Sequence, residues 1–210
     1  MTTSGLRELK KQRTRLALID AALDLFLRRG YEQTTIDEIV AAVEVSQRTF
    51  FRYFATKEDV VLGVMDAFDQ SMVELLRELP DSLPPTRTLV EAMRGVLDVI
   101  RDGDAVEHER QRRIREVIET TPTLIAAHLA RQNTSLAVLT DEIARRMGVD
   151  PEADMRPALL VAIFQGATRV GFEQCASRQE FDPYKVVSRV EESVSLAMGA
   201  LREDWATSRG

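Results

Sequence analysis

The chain has 210 residues, 44% of them hydrophobic and 30% charged. This is ordinary globular usage; it excludes a mostly disordered polypeptide and is long enough for a core without metal or disulfide support. A single cysteine, Cys175, excludes an internal disulfide and a four-cysteine zinc site, and fits a reducing cytosol. The net charge of −6 argues against nucleic acid on its face, but it hides an asymmetry: residues 1–59 hold ten Lys or Arg against nine acids, and the remainder 18 against 25.

The N-terminus is basic, with Arg7, Lys10, Lys11, Arg13 and Arg15. It lacks the apolar stretch of a secretory signal, and no apolar run approaches the ~20 residues of a membrane helix. A cytoplasmic protein with no membrane partner is therefore expected. The basic segment reads either as an arm reaching DNA or as a frayed end. Ile19, Ala22, Leu23 and Phe26 then fall at helical spacing, and Gly30 supplies a stop. Thr35 and Glu38 form a capping box, predicting a second helix that buries Ile36, Ile39, Val40 and Val43. Ser46 caps a short third helix through Phe54. Thr56 caps a fourth over about 57–79, with Asp59 at its third position and Pro80 at its end. Helices two and three, joined across Glu44-Val45, make a helix-turn-helix pattern.

The proline-rich segment 80–85 interrupts, and a helix over about 87–101 follows. The charged run from Arg101 to Arg113 reads as a loop and a helix start. Thr121-Pro122, Asp150-Pro151 and Asp182-Pro183 each place a capping side chain before a proline, predicting helices over 122–147, 151–176 and 183–204. No segment alternates as a strand does. The fold class is all-α with about nine helices: a three-helix domain over 1–56 and a helical domain over 57–210.

The third helix has two chemically distinct sides. Phe50 and Phe54, four apart, share a face beside Val45, where Ile39 and Val43 can pack. Gln47, Arg48 and Arg52 are left outward near its N-terminal end, where helix-turn-helix proteins touch base edges. Arginine pairs with guanine and glutamine with adenine. Thr35, Ser46, Thr49, Tyr53 and Lys57 offer hydroxyls and an ammonium suited to phosphate oxygens, which position without reading sequence. Phe51 reads as core or as a backbone contact.

The segment from Thr34 to Lys57, through Val45-Ser46, Thr49-Phe50-Phe51, Tyr53-Phe54 and Lys57, resembles the DNA-binding signature of TetR-family transcriptional regulators. The resemblance covers residues 10–60; beyond them it extends only to helix number and length. Three positions depart from the family pattern. Glu44 stands where the turn usually has glycine, Arg48 where glycine is frequent, and Phe51 where tyrosine is common. A left-handed backbone at Glu44 would cost about 1–2 kcal/mol.

The resemblance implies that the second domain holds an effector pocket and a dimer interface. For the interface, Ala158, Ala162, Gly166 and Val170 on the penultimate helix, and Val190, Val194 and Leu201 on the last, are the candidates. For the pocket they are Met65, Phe68, Met72, Met93, Leu97, His128, Phe164 and Gln165, with methionines suited to irregular volumes. The expected protein is a homodimeric repressor released from a palindromic double-stranded DNA operator by a small hydrophobic or amphipathic molecule. An activator, an effector-independent regulator and a helical protein–protein adaptor are the alternatives. Metal-binding, nucleophile-elbow and phosphate-loop motifs are missing, so neither an enzyme nor a cofactor or metal is expected.

Overall fold

The computed structural model describes residues 3–178 and 182–205; the side chains at 3, 4, 6, 176 and 201–205 lie outside that description. Nine helices make up the described chain: α1 Thr3–Arg29, α2 Ile36–Ala42, α3 Gln47–Phe51, α4 Asp59–Glu78, α5 Pro85–Arg101, α6 Ala105–Glu119, α7 Pro122–Met147, α8 Arg156–Ser177 and α9 Pro183–Trp205. The fold is all-α, as the sequence predicts.

Local chemistry explains most boundaries. Gly30, at φ 88°, ends α1, and its N–H donates to Phe26. Thr56 and Asp59 exchange side-chain-to-backbone hydrogen bonds ahead of α4, as a capping pair does. Pro85 opens α5, and Asp104 accepts from the Glu107 N–H at the start of α6. α7 ends in a Schellman motif, with Gly148 at φ 66°, its N–H on Arg145 and the Val149 N–H on Ala144. Asp182 accepts from the Lys185 N–H at the start of α9.

Two boundaries correct the sequence expectation. α3 ends at Phe51 rather than at Phe54, with Arg52 as its C-cap. α8 begins at Arg156, not at Pro151. Asp150 caps a turn instead, accepting from the Glu152 N–H, and Asp154 accepts from the N–H and guanidinium of Arg156. A second proline, Pro157, occupies the first turn of α8, so the helix-opening proline is this one.

The chain forms two compact units. The first comprises residues 1–67 and 109–130, the second 68–108 and 131–210. In the first, Leu18, Ile19, Ala22, Leu23 and Phe26 of α1 share a core with Ile39, Phe50 and Phe54, joined by Ile114, Val117, Ile118 and Leu124. Arg110, which is buried, donates through Nε and Nη2 to both carboxylate oxygens of Asp20 at 2.7 and 3.1 Å, tying α6 to α1. The basic segment Arg7–Arg15 is part of α1.

In the second unit, α8 and α9 pack closely. A Cβ placed on Gly171 would lie 2.7 Å from Val190 Cα. Ser193 Oγ donates to the Ala167 carbonyl at 2.8 Å. At the C-terminal end of α4, the buried Arg146 guanidinium donates to the carbonyls of Leu76, Leu79 and Pro80, satisfying acceptors that the helix leaves open. Among the described residues, no helix is long and apolar enough to cross a membrane.

Candidate nucleic-acid interface

The interface is built on the α2–turn–α3 segment. Thr35 caps α2 and its hydroxyl accepts from the Glu38 N–H, while the Glu38 carboxylate accepts from the Thr35 N–H at 2.9 Å and from its hydroxyl. Arg29 Nη1 donates to the same carboxylate at 2.7 Å. The Thr35 backbone bond, followed by its hydroxyl, holds the Glu38 carboxyl below its ordinary range, with the neighbouring Arg29 charge contributing. The hydroxyl proton of Thr35 is thus committed to Glu38.

Glu44 follows the C-cap of α2 at φ 55°, the one positive φ of a non-glycine among the described residues. Its N–H donates to Ala41, and that of Val45 to Val40. This is the same Schellman geometry that Gly148 makes at the end of α7. Ser46 then caps α3, its Oγ accepting from the Thr49 N–H and lying 3.0 Å from the Thr49 hydroxyl. Fully buried Phe50 anchors α3 against Phe54, with ring centroids 5.4 Å apart.

The opposite side of α3 is polar and open. Gln47, Arg48 and Arg52 are exposed, and Phe51 is 52% exposed, so Phe51 stands at the surface rather than in the core. Arg48 makes no hydrogen bond or ion pair with the described residues, which leaves its guanidinium available. The Gln47 amide Nε2 donates to Asp37 Oδ1 on α2. Arg52 lies over the Tyr53 ring and donates to its hydroxyl at 3.1 Å, so these two form a local pair.

Lys57 is placed differently from the other proposed phosphate groups. Its Nζ donates to the carbonyls of Tyr31 and Thr34 at 2.7 and 2.8 Å and sits 4.2 Å from the Tyr31 ring centre. Burial pushes its pKa down, against the opposing pull of Glu32 and Glu58. Two of its three hydrogens therefore hold the α1–α2 connection. No local sequence signal links residue 57 to residues 31 and 34, and this tie was not read from the sequence.

The other candidate residues divide between the two units. Met65 and His128 belong to the first, where Met65 packs half-buried against the core. Met72, Met93, Leu97 and Phe164 come together in the core of the second, none more than 3% exposed, and Phe68 packs beside them. Gln165 is half-buried on α8. Ala158, Ala162 and Val170 are exposed on α8 and Gly166 is half-exposed. Val190 and Val194 turn into the core of the same unit, and the Leu201 side chain lies outside the described residues. An open groove of about 420 Å³ lies along α8 and α9, with Gly166, Val170, Arg189 and Leu196 among its lining.

A helix-turn-helix whose third helix carries an outward cation, built on a core shared by α1 and the later helices α6 and α7, defines the helix-turn-helix class of DNA-binding fold. Residues 18–64 match the family model of bacterial regulatory proteins of the tetR family, and residues 83–198 match the MftR C-terminal domain. The chain belongs to the TetR family. The HTH-type transcriptional regulator TcmR of Streptomyces glaucescens is 37% identical over 203 residues, covering 96% of this chain and 90% of TcmR. AcrR of Shigella flexneri is 28% identical over 156 residues, 71% of this chain and 70% of AcrR. Among solved structures, SmeT, the repressor of the Stenotrophomonas maltophilia multidrug efflux pump SmeDEF, shares the fold with a TM-score of 0.58 at 18% identity, covering 90% of this chain and 91% of SmeT. NalD, the secondary repressor of the Pseudomonas aeruginosa MexAB-OprM pump, does so at 0.59 and 17%, covering 89% and 97%.

Proposed function

We propose that this TetR-family regulator is a homodimeric repressor that binds a palindromic operator and leaves it when a small hydrophobic or amphipathic molecule binds. The observation that carries the reading is the exposed end of α3, where Arg48 is unpaired among the described residues and Gln47 stands beside it. Arg48 reads guanine, and Thr35, Ser46, Thr49, Phe51, Arg52, Tyr53 and Lys57 contact the backbone or flank those contacts. Residues 1–56 serve DNA binding and residues 57–210 effector binding and dimerisation.

Repressor-type relatives support the sign of regulation, and a solved SmeT–triclosan complex with this fold shows one such protein holding a small molecule. The apolar cluster around Phe68, Met72, Met93, Leu97 and Phe164 is the proposed effector region, with Gln165 as a polar group at its side. α4, whose residues belong to both units, is the proposed lever. A coupling of about 1–3 kcal/mol would change operator affinity about 5–150-fold.

Selection of bound sequences from a random DNA pool at two salt concentrations tests the reading. A palindromic site with guanine in each half supports it. No enrichment at either salt refutes it.

A further inference from the structure

Asp37, in the first turn of α2, and Gln47, the first residue of α3, are ten positions apart in sequence. The helix-turn-helix brings them into hydrogen-bond contact, with Gln47 Nε2 donating to Asp37 Oδ1. We propose that Asp37 is a positioning residue for base reading: it holds the Gln47 amide in one orientation, which makes Gln47 a reader of adenine. The proposal rests on the operator-reading role of α3 given above.

The argument is one of donor and acceptor inventory. An ionised carboxylate accepts and cannot donate, whereas a glutamine amide has a donor end and an acceptor end. Only the NH2 end of Gln47 can therefore face Asp37. One Nε2 hydrogen is spent there. The carbonyl Oε1 and the second N–H remain, and this pair is what adenine requires, with its N6 donor and N7 acceptor.

Both side chains are exposed, so in the free protein their contact adds little to the fold. Its effect belongs to the complex. When DNA displaces water, an amide already fixed in one sense loses less rotational freedom, and a misoriented amide would set its donor against another donor. Arg48 has no such partner among the described residues, so its reading of guanine does not depend on Asp37.

The test compares base preferences for the wild type, D37A, D37N, Q47A and R48A, each by DNA selection followed by competition binding at fixed salt. The wild type should enrich adenine next to the guanine read by Arg48, and Q47A should lose that adenine. D37A should weaken the adenine preference by about tenfold at that position alone. D37A should have no further effect on base preference in the Q47A background. D37N keeps the shape and a polar group at the start of α2, and its amide can accept or donate; it should give an intermediate loss, and it guards against a folding failure of D37A.

The proposal is overturned if both Asp37 variants retain the adenine preference, if they weaken all sequences alike, or if Q47A leaves base preference unchanged. Should the wild type enrich nothing, the operator reading falls and takes this assignment with it. Should R48A lose guanine while the Asp37 variants match the wild type, the assignment to Asp37 alone falls.

Discussion

Glu44 and Gly148 close two helices with the same hydrogen-bond pattern, yet only Gly148 lacks the Cβ that makes a left-handed backbone costly. E44G should therefore stabilise the protein by about 1 kcal/mol, less than the full left-handed cost because glycine also loses more backbone entropy on folding. A thermal melt would show this as a rise of roughly 2–4 °C. An unchanged or lower melting temperature would mean that Glu44 is held by something beyond its backbone geometry. Lys57 is the second residue whose surroundings decide its role. K57A removes two hydrogen bonds from a charged donor and should destabilise by about 2 kcal/mol. R48A, which loses no such bond, should melt like the wild type. If Lys57 also touches phosphate through its third hydrogen, the salt slope of DNA binding in K57A should flatten by about one unit.

At the scale of elements, several helix starts were legible in the sequence from a capping side chain whose partner lies three residues on. Thr35 with Glu38, Ser46 with Thr49, and Asp182 with Lys185 all satisfy that condition. The start of α8 was not legible, because two aspartates, Asp150 and Asp154, each accept from an N–H two residues on, and two prolines six residues apart follow them. The ties of Lys57 to Tyr31, Gln47 to Asp37 and Arg110 to Asp20 span 10 to 90 residues. Periodicity does not encode them, since a long side chain finds its partner only after the helices have packed. The face of α9 shows the same limit: Val190 and Val194 lie on an apolar stripe that packs within the second unit.

Two predictions belong to this scale. G171A puts a methyl group against the Val190 backbone and should destabilise by about 1 kcal/mol or more, overpacking outweighing the better helix propensity of alanine. Gly63 has open space at the equivalent atom, so G63A should be neutral or stabilising. A lower melting temperature for G63A than for G171A would contradict this. The capping box of α2 gives a pH dependence. The Glu38 pKa is lower folded than unfolded, so its contribution is complete above the ordinary glutamate range and disappears as pH falls through the lowered folded value. E38Q should flatten the acid limb of a stability–pH curve and leave the curve above pH ~6 parallel to that of the wild type.

For the whole molecule, the proposed dimer centres on the outer face of α8 and the groove beside it. Val170 is 40% exposed and Leu196 on α9 is 70% exposed, an apolar surface of the kind that a second copy covers. V170R should lower the dimer fraction in sedimentation and weaken binding to a two-half-site operator far more than to a single half-site, with helical content unchanged by circular dichroism. A wild-type chain that sediments as a monomer at all concentrations would sink the dimer reading, and V170R would then carry no information about assembly.

The chain passes from one unit to the other three times, and each passage falls inside a helix: α4 at 67/68, α6 at 108/109 and α7 at 130/131. The core beneath the helix-turn-helix is therefore completed by Ile114, Val117, Ile118 and Leu124, which are encoded more than 50 positions downstream of it. Recombination at a single junction cannot transplant this DNA-reading head intact. A chimera that borrows this core from a relative must import two separated stretches of gene, whereas a change of residues on α3 alone leaves both stretches in place.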